Sequence, residues 1–95
     1  MIAFVAPLFK WPGGNWYFVR LPEEAAIEAR FESGGLRGGF GSIKVAARVG
    51  LTEWRTSIFP EKESGSFLLP MKAAVRHAES LTEGEAVDVR LDVAG

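Results

Sequence analysis

Apolar and polar side chains alternate with a period of two along most of this chain, and the alternation breaks at two places where the period lengthens to that of a helix. Ile43, Val45, Ala47 and Val49 alternate with Ser42, Lys44, Ala46 and Arg48, and Val87, Val89, Leu91 and Val93 with Ala86, Asp88, Arg90 and Asp92. Such alternation marks strands buried on one face. A strand over 52–59 places Trp54, Thr56 and Ile58 on one face and Glu53, Arg55 and Ser57 on the other. Residues 2–10 read as a strand with apolar residues on both faces. Pro12-Gly13-Gly14-Asn15 is a turn cluster, and 16–21 returns as the second strand of a hairpin. Pro60 and the polar residues after it predict another turn, followed by a short fifth strand over 66–69.

Two helices interrupt the strands. Pro22 suits the first position of a helix over 22–32, because its missing N–H has no partner there, and Glu23 and Glu24 favour the positive end of the helix dipole. Gly34-Gly35 closes it. Pro70 is expected to open the second helix in the same way, with Met71, Ala74, Val75, Ala78 and Leu81 within an arc of roughly 120° as a core-facing stripe. Thr82-Glu83-Gly84 stops that helix.

Sliding the chain by 48 positions lays LPEEAAIEA, from Leu21, over LPMKAAVRH, from Leu69. Each half reads strand, strand, helix, strand. Six half-exposed strands in so short a chain are best buried by closing the sheet, which also removes its open edges. The pattern therefore predicts a mainly β, single-domain fold with two short helices, a small six-stranded β-barrel built from two strand-strand-helix-strand halves. An open α+β sheet with both helices on one face is the alternative.

Composition narrows the function classes. A 95-residue chain that is 47% hydrophobic, with seven Phe and three Trp, can fill one core but not two. Trp11, Trp16 and Trp54 either line a pocket or fill the barrel, and at least two are expected in that core. Zero cysteines exclude disulfides, thiolate metal sites and a Cys nucleophile. The single His77 cannot make a zinc site and lies away from the core stripe, so it reads as a solvated helix residue. No cofactor is expected. The start of the chain has no signal-peptide pattern and no apolar run reaches membrane-spanning length, which predicts a cytoplasmic protein without membrane contact. Eleven basic and twelve acidic side chains are interspersed, net −1, which disfavours nucleic acid as a partner because a duplex binder gathers its cations on one face.

Two polar groups are candidates for binding. Lys72 and Arg76 lie four apart beside the second helix's stripe, and their like charges cost about 0.2–0.5 kcal/mol that an anionic ligand would relieve. The plainer account pairs Arg76 with Glu79. The positions matching Lys72 and Arg76 in the first half are Glu24 and Glu28, so the two helices either pair across a pseudo-twofold or carry opposite charge. Trp54, Arg55, Thr56 and Ser57 form the second group, where an arginine can fork onto a carboxylate or phosphate and stack on an indole. An outward strand face with ordinary partners is the plainer account of it. The stretch GGLRGGFGSIKV follows a helix and opens a strand, so no helix N-terminus is there to receive a phosphate, and its glycines read as turns and bulges. No nucleophile elbow or paired catalytic carboxylates are evident, and a catalytic function is not expected.

Three segments carry a resemblance: Trp16-Tyr17-x-Val19-x-Leu21-Pro22, Trp54-Arg55-Thr56-Ser57-Ile58-Phe59-Pro60, and Leu69-Pro70-Met71-Lys72 with Val75-Arg76 ahead of Gly84-Glu85. Over nearly its whole length the chain resembles the bacterial and archaeal family called domain of unknown function 1905 (DUF1905). The resemblance implies a small β-barrel and no established activity. The family usually has Gly-Asp where this sequence has Gly84-Glu85. The segment from Leu69 is also similar to a unit of AbrB-type transcription regulators, whose barrel takes two chains. Together these readings predict a non-enzymatic binding module for a small anionic or aromatic ligand or a protein partner, with a nucleic-acid-binding regulator as the alternative.

Overall fold

The computed structural model describes residues 1–34 and 41–94 of the chain. Eight elements follow in order: β1 (Ile2–Lys10), β2 (Tyr17–Arg20), α1 (Glu23–Ser33), β3 (Ile43–Val49), β4 (Thr52–Glu61), β5 (Ser66–Pro70), α2 (Ala73–Ala78) and β6 (Ala86–Val93). All strand pairings are antiparallel, and they close into a barrel in the order β1-β2-β5-β4-β3-β6. Closure rules out the open sheet. Of the glycines read as turns and bulges, those at 35, 38 and 39 lie outside the described residues; Gly34 caps α1 in the left-handed conformation, φ 58°.

The halves are related as the repeat predicts. Exchanging β1 with β4, β2 with β5 and β3 with β6 leaves every neighbour in the ring unchanged. Where a strand meets its own counterpart, the register centres on residues 48 apart: Arg20 opposite Leu68, and Val45 opposite Val93. The symmetry is lost in β1 and β4. Leu8 pairs with Val19, and sliding Val19 by 48 reaches Phe67, which pairs with Pro60, 52 residues after Leu8. The sequence match likewise begins only at the Leu-Pro corners.

Alternation decides what fills the barrel. Ile2, Phe4, Ala6 and Leu8 of β1, Ile43, Val45, Ala47 and Val49 of β3, and Val87, Val89 and Leu91 of β6 are buried, joined by Val19, Ile58, Phe67 and Leu69. Helix α1 buries Ala25, Ala26 and Ala29, whose small side chains let it lie close on the barrel wall. Arg30 on its outer side donates to the Gly65 carbonyl and covers the Phe67 ring at 5.3 Å. Pro22 is the cap rather than the first helical residue, since its carbonyl accepts the first helical bond from Ala26.

The second helix departs more from expectation. It is six residues long and capped by Lys72, and of the predicted stripe only Val75 is buried within it. Ala74 and Ala78 are exposed; Met71 is buried ahead of the helix and Leu81 is half-buried behind it. So short a helix has little stability of its own. Flanking anchors hold it: Met71 N–H donates to Tyr17 at 2.8 Å, Arg76 Nε to the Met71 carbonyl at 3.0 Å, and Thr52 Oγ1 to Glu79 at 2.6 Å.

Pro70 does not open α2. It ends β5 opposite Phe18. Met71 N–H bonds to Tyr17, so the alternate position, Pro70, sits where the ladder to β2 asks for no donor. Similarly, β4 continues through Pro60 to Glu61, and the turn lies later, at 62–65.

Candidate ligand-binding face

The Trp11–Trp16 turn sets the first part of the site. Trp11 N–H donates to the Trp16 carbonyl at 2.7 Å, Gly13 takes φ 80°, and a side chain at Gly14 would press on the Trp16 ring at 3.2 Å. The glycines therefore let the chain reverse while both indoles point outward. Trp16 is 68% exposed and Trp11 43%, which corrects the expectation that at least two of the three tryptophans fill the core; only Trp54 packs against it.

Outward residues of β2, β4 and β5 continue this apolar surface. Trp11, Trp16, Phe18, Phe59, Leu68 and Pro70 line a groove of about 470 Å³. Trp11 meets Phe18 edge-on at 5.8 Å, and Phe9 lies 6.0 Å from Phe18. Beyond Phe18, Arg20 lies over the Phe9 ring at 4.6 Å and forks onto Glu61, with one of its bonds at 2.8 Å. The ion pair joins β2 to β4 across β5. Its hydrogen bonds hold the Glu61 carboxyl below the ordinary carboxylate range, against the opposing pull of partial burial and with help from the Ser64 hydroxyl; the Arg20 guanidinium is correspondingly raised.

Trp16 and Pro70 also border a second groove, of about 450 Å³, that contains Lys72 and Arg76 together with Tyr17. The Arg76 guanidinium stacks over the Tyr17 ring at 3.9 Å. Its Nε is engaged by the Met71 carbonyl, which fixes the plane of the fork. The expected partner is elsewhere: Glu79 turns away to accept from Thr52 and fills the space above Gly50. The plainer account of Arg76 is thereby overturned. No ion pair joins Glu24 or Glu28 to Lys72 or Arg76 among the described residues.

Arg55, Thr56 and Ser57 line a third groove, of about 600 Å³, on the β3, β4 and β6 wall with Lys44 and Asp92. Ala46 separates Arg55 from Asp92, being paired with both across the ladder. Trp54 lines none of the three grooves. Consecutive strand residues face opposite ways, so Trp54 packs inward while Arg55 points out, as the alternation of this strand predicts, and the two do not stack. The sequence candidates thus divide: Lys72 and Arg76 share a groove, Arg55, Thr56 and Ser57 share another, and Trp54 stands apart.

The sequence reading leaves out Tyr17, Phe18 and Phe59 as groove-lining residues and gives Trp11 and Trp16 to the core ahead of a pocket. A signal was present, since aromatic residues bracketing a Pro-Gly-Gly-Asn turn have no core position to occupy. His77 is exposed, as read. Among the described residues no cluster of three or more His, Asp or Glu is placed to hold a metal ion, and no helix is long and apolar enough to cross a membrane.

The fold and this outer face define a class: a single-chain, six-stranded antiparallel barrel of two similar halves with a grooved aromatic wall. The chain belongs to the family described as Domain of unknown function (DUF1905), whose model matches residues 4–91. No curated protein matches the sequence.

Proposed function

We propose that the domain is a non-enzymatic binding module for a small anionic ligand, held by Lys72 and Arg76. The observation that carries this reading is the Arg76 fork, stacked on Tyr17 and held at Nε while its neighbouring acid, Glu79, is committed to Thr52. A planar guanidinium oriented in this way suits a carboxylate or phosphate, and the adjoining Lys72 adds a second charge. The Arg55 groove lacks this support, because Asp92 offsets its cations. The cysteine-free composition is compatible with a cytoplasmic setting, which fractionation of cells producing the chain would test.

Thermal denaturation against a panel of small carboxylates and phosphates tests the reading. A bound anion at about ten times its dissociation constant adds about 1.4 kcal/mol, several degrees in melting temperature for a domain of this size. The double variant Lys72→Ala, Arg76→Ala is expected to unfold cooperatively and to lose the rise. An equal rise in the variant, or none in the parent protein, contradicts the reading. A salt-dependent mobility shift of random duplex DNA would favour the nucleic-acid alternative instead.

A further inference from the structure

The cationic groove does not end at Arg76. Trp16 and Pro70 line both it and the aromatic groove, so the two depressions adjoin each other at these residues on the outer face of β2 and β5. One end offers Arg76 and Lys72; the other offers Trp11, Phe18 and Phe59 with few polar groups. Exposed tryptophans joined to a contiguous apolar patch are uncommon on a surface with nothing to bind. We infer that the site takes a small molecule with two parts, a planar aromatic or apolar group lying against Trp16 in the aromatic groove and a carboxylate or similar anion directed to Arg76 and Lys72. This inference rests on the anion-binding reading and specifies its ligand class.

Charge complementarity and shape select this occupant. The cations lie at one end only, so an anion there orients the whole molecule. Each groove is of a size with ordinary small-molecule sites, about 300–1,000 Å³. An extended peptide adding to the sheet would need a free strand edge, and each of the six strands is paired on both sides in the closed ring. Trp16 is placed to stack on a planar group because its ring is exposed and the Gly13-Gly14 turn fixes its position.

Titration followed by the indole Nε1–H resonances of the three tryptophans tests this, using 1-naphthoate, acetate and the neutral 1-naphthalenemethanol as probes. Naphthoate is expected to shift the Trp16 resonance and leave that of Trp54 in place, and to bind about tenfold more tightly than acetate. Trp16→Ala is expected to remove the tenfold advantage while acetate binding persists; Trp11→Ala, at the far end of the groove, serves as a second variant. Lys72→Gln with Arg76→Gln should bring naphthoate down to the level of the alcohol. Equal affinity for acetate and naphthoate overturns the two-part site and leaves the anion-binding reading standing. Equal affinity for the alcohol and naphthoate, or no binding of any probe, overturns both.

Discussion

Gly50 shows how one residue can carry two constraints at once. It opens the two-residue turn between Val49 and Thr52 with φ 58°, and a methyl group there would lie 2.1 Å from a Glu79 carboxylate oxygen. Gly50→Ala is therefore expected to lower stability by about 1–3 kcal/mol in urea denaturation. The same substitution combined with Glu79→Ala removes the clash and should recover part of that loss, leaving the backbone strain. Glu61 presents a different constraint. Its carboxyl is held low by Arg20, so its contribution to stability is present above the unfolded carboxyl pKa, about 4.3, and is lost as pH falls through the lower folded value. Glu61→Gln is expected to lower the urea midpoint at neutral pH and to match the parent protein in strong acid. A constant difference across that range would place the effect elsewhere. In the sequence Gly50 reads only as the end of a strand and Glu61 only as part of a polar turn, because their partners, Glu79 and Arg20, lie far along the chain.

At the scale of elements, α2 tests whether anchors or a helical stripe hold this corner. Met71→Ala is expected to cost about 2–5 kcal/mol, the usual range for emptying a buried site of this size. Ala78→Lys, at a position the helical period assigns to the core, should change stability by less than about 0.5 kcal/mol because it is exposed. The strands were legible because period-two alternation leaves one choice of inward face, and β3 and β6 fill the barrel with the residues the pattern names. The second helix was less legible. A stripe of Ala, Val and Leu looks alike in a long packed helix and in a short one between two hydrophobic anchors. Trp16 was misread for a related reason: bulk predicts burial only where the backbone offers an inward position, and a turn offers none.

For the molecule as a whole, closure of the wall determines where every candidate binding residue lies. The β2–β5 seam brings Trp16 and Tyr17 beside Pro70, Lys72 and Arg76, residues more than fifty positions apart in sequence. Without that seam, neither groove exists. The repeat made the ring legible in the sequence, but the unequal registers of β1 and β4 were not, since a slip by an even number of residues keeps the same side chains facing inward. Both seams centre on pairs 48 apart, and the adjoining bonds, Leu21 N–H to Phe67 and Ala94 N–H to Lys44, make Arg20 opposite Leu68 and Val45 opposite Val93 narrow, non-hydrogen-bonded pairs. The most direct measurement is the nuclear Overhauser effect between α-protons in the protein in solution. A closed, doubled barrel gives strong cross-peaks for both Arg20 with Leu68 and Val45 with Val93, and the absence of either one would mean that a seam is open.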